Sequence, residues 1–313
     1  MMSFVSIIVP IFALILIGFV IVKTGYFAET NQKGLSDFAF LIAIPVMLFR
    51  TISIAEPSGD RPWMILGAYF GAVFAIWLLA TIITRLILRR PMADAASIAM
   101  TSTYGNIVML GIPLALAAFG PAAAAPLAVI VGVNTPMLWL TGTLHIQAAE
   151  QSGSGRPLGA LVKGLVYDLI RNPLIIAMLG GGLWRLTGLG LTPALDKTLL
   201  LLGAAGVPCG LVALGGSLTQ FKIKGQASTL TTVIVLKLLA MPFVAWLLAV
   251  HVFQLSPVAA GVVVLFAAMP SGANAYLFAN RYGRVVNSAS GAVALGTLLA
   301  AGTAAYLISI LGT

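Results

Sequence analysis

Long apolar runs recur along this chain so regularly that little room is left for anything but helices crossing a bilayer. A membrane-spanning helix needs about 20 apolar residues. Roughly ten such runs occur, at 3–22, 35–54, 63–88, 93–119, 122–149, 169–186, 198–219, 227–253, 258–280 and 286–311. The chain is 60% hydrophobic and only 8% charged, with a mean hydropathy of +1.07. Such a balance belongs to an all-α integral membrane protein. The first run has no basic residue before it and no small-x-small site after it, so it reads as a span rather than a signal peptide. Cys209 is alone, which leaves no internal disulfide and no cysteine metal cluster. The net charge of +9 points to anionic lipid headgroups at a membrane surface rather than to nucleic acid.

Two of the runs are interrupted in related ways. The first reads Tyr104-Gly105-Asn106-Ile107-Val108-Met109-Leu110-Gly111-Ile112-Pro113-Leu114. A proline inside a helix removes a donor and strikes the carbonyl four residues back, so a break or kink is expected at Pro113. Asn106 and Pro113 are seven residues apart and share a face. The second interruption is Met269-Pro270-Ser271-Gly272-Ala273-Asn274, in which Pro270 and Asn274 share a face. Broken helices in matching positions of two halves are the sequence pointer to a transporter binding site. A plain kink is the alternative reading of each proline.

The halves do match. A shift of 163 residues aligns Pro10 with Pro173, Gly18 with Gly181, Gly25 with Gly188 and Pro45 with Pro208. A shift of 169 aligns Phe74 and Trp77 with Phe243 and Trp246, and a shift of 157 aligns Pro113 with Pro270. The chain therefore divides into a five-helix unit at 1–150, a linker at 151–168 and a second five-helix unit at 169–313. Five spans per unit make the second enter the membrane the other way up, with spans four and nine crossing. Basic residues favour the connections after the odd spans, which places those loops in the cytoplasm and both termini outside.

Lys237 is the one charge inside a span, and an intramembrane charge faces a cavity or a partner. It is read as neutralising the negative half-helix ends, its proton being a candidate for exchange; snorkelling to the interface is the alternative. Asp37, Asp94, Asp168 and Asp196 fall at span starts, and Glu29, Glu56, Asp60 and Glu150 in connections, so no carboxylate stands mid-membrane. His145 and His251 read as interfacial, and Gly180-Gly181-Gly182 as a close helix contact. Gly132, Asn134, Thr135 and Pro136 mark a candidate bend near the cavity. Arg50 reads as interfacial, with attraction of anions as the alternative. No nucleotide loop, metal-ligand spacing or nucleophile–base pair is present, so neither enzyme chemistry nor a cofactor or metal is expected.

Asn106, Gly111-Ile112-Pro113-Leu114, Pro270-Ser271-Gly272, Phe278-Ala279, Tyr282 and Ile44-Pro45 before Phe49 resemble the auxin efflux carrier family, over nearly the whole chain. That family holds bacterial malonate transporters and the plant PIN carriers. The resemblance implies a scaffold and a transport part, similar in fold to bile-acid sodium symporters and sodium/proton antiporters, with Pro113 and Pro270 as crossover residues and Asn106 lining the cavity. The long cytoplasmic loop of the plant carriers has no counterpart here.

Crossing broken helices aim two amino ends, each about +0.5 charge, at the bilayer centre, which suits a carboxylate. Asn106, Ser271, Asn274 and Tyr276 add neutral hydrogen bonds, with Gly111, Pro113, Pro270 and Gly272 shaping the backbone. The expected activity is secondary transport of a small organic anion, such as malonate or an auxin-like acid, across the bacterial inner membrane by alternating access. A proton is the candidate coupling ion, and exposed apolar faces would permit a homodimer. The alternatives are a cation/proton exchanger on the same fold or a substrate-sensing receptor.

Overall fold

In a computed structural model of the protein, the apolar runs fold as helices wherever the chain is described, at residues 4–54, 59–150, 159, 163–164, 167, 170–222 and 225–311. The linker expected at 151–168 falls mostly outside those residues, as do Glu56, Arg156, Asp168 and Lys224. In chain order the helices of the first half are α1 (Phe4–Lys23), α2 (Glu29–Phe38), α3 (Ile44–Ser53), α4 (Pro62–Leu86), α5 (Met92–Thr103), α6 (Ile112–Phe119) and α7 (Ala124–Glu150). Those of the second are α8 (Pro173–Leu186), α9 (Pro193–Ala204), α10 (Gly206–Ser217), α11 (Ala227–Val235), α12 (Met241–Trp246), α13 (Pro257–Ala267), α14 (Ala273–Tyr282) and α15 (Val286–Leu311). Among the described residues, five continuous helical stretches are long and apolar enough to cross a membrane: Thr30–Ser53, Pro62–Leu86, Ile107–Glu150, Pro193–Gln220 and Ala227–Val252. No strand longer than a single bridge occurs among the described residues, and the chain is an all-α, multi-pass membrane protein.

Three of the four wide turns among the described residues stand before a proline; the fourth, Leu247–Val252, closes its helix. Wide π turns at Ala39–Ala43, Ile107–Gly111 and Leu236–Ala240 each lead into a helix whose second residue is a proline: Pro45, Pro113 and Pro242. One wide turn moves aside the carbonyl that the ring would strike. The break expected at Pro113 is therefore absorbed as a widened turn, and the chain leaves the helix earlier, between Thr103 and Ile107. Pro270 does lie within a break, between α13 and α14. The bend considered at Pro136 is not a break, since α7 runs through it.

Packing comes in couples. α1 lies against α10 and α8 against α3; α4 lies against α5 and α12 against α13; α6 lies against α7 and α14 against α15. Glycine sets the closest of these approaches. A Cβ on Gly18 would collide with the Val212 carbonyl, one on Gly215 with the Ile15 carbonyl, and one on Gly181 would sit 2.7 Å from the Phe49 carbonyl. Backbone thus meets backbone across α1–α10 and α8–α3, as apolar helices do where small residues allow it. Gly182, by contrast, has open space around it.

The ion pairs gather at helix ends. Arg50, at the end of α3, grips Asp196 at the start of α9 with both fork nitrogens, at 2.8 and 3.0 Å. Its charge is thereby paired within the protein by a bidentate bond. At the start of α5, Asp94 is shared by Arg90 (3.2 Å) and Arg284 (3.6 Å), and Arg284 also holds Glu150 at 3.0 Å.

Candidate functional site

The two interruptions meet. Gly105 and Ser271 form a single antiparallel β-bridge. The Asn106 N–H donates to the Pro270 carbonyl at 2.7 Å, and the Gly272 N–H donates to the Tyr104 carbonyl at 2.9 Å. Each unwound segment therefore supplies the partners that the other's backbone lost, which irregular chain at membrane depth requires. Glycine at 105 keeps the approach close, since a Cβ there would stand 3.1 Å from Lys237 Nζ and 3.3 Å from the Phe266 carbonyl, tight enough to push on the lysine. The Ser271 hydroxyl is buried and donates to the Thr101 carbonyl at 2.7 Å, tying the second segment onto α5.

Four helix ends converge on this pairing. The carboxyl ends of α5 and α13 finish at Thr103 and Ala267. Lys237, 1% exposed, reaches both: its Nζ donates to the Thr103 carbonyl at 3.2 Å, the Ala267 carbonyl at 3.0 Å and Met241 Sδ at 3.0 Å. Three acceptors match the three N–H groups of an ammonium. The lysine does not snorkel; it holds together the two negative ends. At the amino ends, the first N–H groups of the turn beginning at Ile107 and of α14, beginning at Ala273, have no carbonyl one turn back.

Neutral polar side chains ring the pairing. Asn106 is 8% exposed, and its amide has no hydrogen-bond partner among the described residues. Asn274, half-buried, donates from Nδ2 to the Tyr104 hydroxyl at 2.8 Å, and that hydroxyl bonds to Thr135 Oγ1 at 2.6 Å. The Tyr69 hydroxyl donates to Asn134 Oδ1 at 3.2 Å, while Asn134 Nδ2 is left without an acceptor. Thr135 of α7 joins the ring through Tyr104, while its chain neighbour Asn134 bonds Tyr69 of α4.

Other expected site residues have different surroundings. A Cβ on Gly111 would press at 3.1 Å on the Phe266 ring, so this glycine lets the wide turn lie flat on α13. Gly272 caps α14, where a Cβ would be 3.2 Å from the Gly105 carbonyl. Pro113 shapes the turn after the crossing. Tyr276 packs its ring edge-on against Phe221, with centroids 5.3 Å apart. His145 accepts from the Trp77 indole at 3.1 Å, far along α7.

Tyr69 and Tyr104 are the residues that sequence reasoning missed. Tyrosine is ordinary in apolar helices, and only the position of Tyr104 beside Gly105 was a signal. The Thr103 and Ala267 carbonyls carry no sequence signal, since any residue supplies one.

A family model described as "Membrane transport protein" matches residues 3–308. Over 311 residues the chain is 22% identical to a protein of Rhizobium meliloti (strain 1021) named "Putative malonate transporter", an alignment that covers 99% of this chain and 97% of that one. Matched over nearly its full length, and built around paired breaks in two apolar helices, the chain belongs to the membrane transport protein family, that of the auxin efflux carriers.

Proposed function

We propose that this transporter carries a small organic anion, held where the two broken helices cross. One observation supports the reading above the rest. Two helix amino ends and the unpartnered, nearly buried Asn106 stand together, while Lys237 occupies the opposing carboxyl ends. Amino ends with free N–H groups attract a carboxylate, and an amide donor adds a charge-assisted bond. Lys237 takes the place between the carboxyl ends that would otherwise need a metal cation. The relative named for malonate agrees with a carboxylate as substrate. A cation/proton exchanger would need a carboxylate at the crossing, and among the described residues the two segments that pair there, 104–106 and 270–272, contain no Asp or Glu.

The architecture behind this function is ten spans in two inverted five-helix units, 1–150 and 169–313, joined by the linker at 151–168. The coupled packing of α1 on α10 and α8 on α3 supports it, as does the spacing of the glycine contacts. Gly18 and Gly181 are 163 residues apart, and so are the Phe49 and Val212 carbonyls that they meet. Alternating access follows when the part holding the crossing rocks or slides against the rest. The setting is a bacterial inner membrane, with both termini outside.

Purified protein in proteoliposomes, offered a panel of radiolabelled mono- and dicarboxylates, tests the reading. Saturable uptake of at least one of them, competed by the others, is the expected result. Flux of sodium against protons without any anion flux would overturn it.

A further inference from the structure

The balance of charge at the crossing limits the ionic form of its guest. We infer that the site takes one negative charge at a time, so that a dicarboxylic acid passes as its hydrogen monoanion, with one carboxyl protonated. This inference rests on the organic-anion reading above and names the species that the same site accepts.

Each helix end carries about half a unit of charge. The carboxyl ends at Thr103 and Ala267 together amount to about one negative charge, and the Lys237 ammonium donates to both. Those terms cancel. The amino ends at Ile107 and Ala273 remain, worth about one positive charge together. Among the described residues, the other side chains bonded around the crossing are neutral. α4 contributes Tyr69, bonded to Asn134; α7 contributes Asn134 and Thr135; α14 contributes Asn274; α12 contributes Met241. Tyr104 is held between Thr135 and Asn274. The nearest acid on a crossing helix, Asp94 at the far end of α5, is engaged by Arg90 and Arg284.

A dianion would therefore bring one uncompensated negative charge into a low-dielectric site, and such a group neutralises instead by taking up a proton. The Asn106 amide, which can donate and accept and has no partner among the described residues, offers a bond to the neutral carboxyl.

The test compares malonate with monomethyl malonate, a monoanion across the working range, in proteoliposomes with uptake and current recorded together. At fixed total concentration, malonate uptake should fall about tenfold per pH unit above its second pKa, while monoester uptake stays within about twofold. Each acid should move one charge per molecule. Malonate uptake that holds level as the dianion takes over, or two charges per malonate, overturns the inference and leaves the anion reading standing. Monoester transport that moves no charge would assign the proton to the protein, and also overturns it. Absence of flux for malonate moves the same comparison to whichever dicarboxylate of the panel is carried and its monoester; absence of flux for every acid of the panel overturns both the inference and the anion reading.

Discussion

The Asn106 N–H is spent on the Pro270 carbonyl, 2.7 Å away, while the Asn106 side-chain amide is left unengaged and 8% exposed. Backbone makes the crossing, and the side chain is spare. Asn106→Ala should accordingly leave thermal unfolding in detergent unchanged to within about a degree. It should raise the KM for the transported anion by about ten- to a hundredfold, as expected for losing a hydrogen bond to a charged group, about 1.5–3 kcal/mol. An unfolded or aggregated variant would show that the amide is structural.

Lys237→Met has the opposite profile. It leaves the Thr103 and Ala267 carbonyls without their shared donor and two negative helix ends side by side. An unsatisfied buried polar group costs about 1–3 kcal/mol, so the expected result is a lowered unfolding temperature together with transport reduced at least tenfold at every pH. Wild-type uptake by this variant, measured in the same vesicles, would remove Lys237 from the mechanism.

Tyr104→Phe removes only the hydroxyl that links Asn274 to Thr135. The two broken bonds are worth about 1 kcal/mol each. Uptake should fall about tenfold, and α14 should become more open to hydrogen exchange near Asn274 than the rest of the chain. Equal exchange throughout would mean that the link orders nothing.

Glycine positions along α8 and α1 separate contact from mere composition. Gly18→Ala and Gly181→Ala each force a methyl into a facing carbonyl and should cost about 1–3 kcal/mol in unfolding free energy. Gly182→Ala meets nothing within 4 Å and should be neutral or slightly stabilising. Equal losses at 181 and 182 would contradict the packing described.

Arg50→Ala tests what that cation does. Its bidentate pair with Asp196 is a third exposed or less on either side, so the stability loss should be at most about 1 kcal/mol. The KM for the anion should not change; a severalfold rise would restore a role in drawing anions inward.

Much of the membrane class and the two special segments could be read from the chain because a bilayer permits so few backbone solutions. Lys237 stood out because a lone charge among leucines is costly in a span, with snorkelling as the competing reading. Pro113 misled about where the helix opens. A proline constrains only the four residues before it, and a wide turn meets that constraint without leaving the helix. The opening lies instead at Gly105, where the Lys237 ammonium, the Met269 side chain and the Phe266 carbonyl crowd the backbone, a three-dimensional fact absent from local pattern. The Asn134–Tyr69 and Thr135–Tyr104 bonds were hidden for the same reason, since each joins residues on different helices.

The Gly18–Val212 contact sets a timetable for making the protein. α1 leaves the ribosome first, yet the groove it fills belongs to α10, about 200 residues later. At typical synthesis rates of about 5–20 residues per second, the newborn helix waits on the order of 10–40 s among lipids before its permanent neighbour arrives. Quality-control proteases of the membrane would find their best opportunity in that interval.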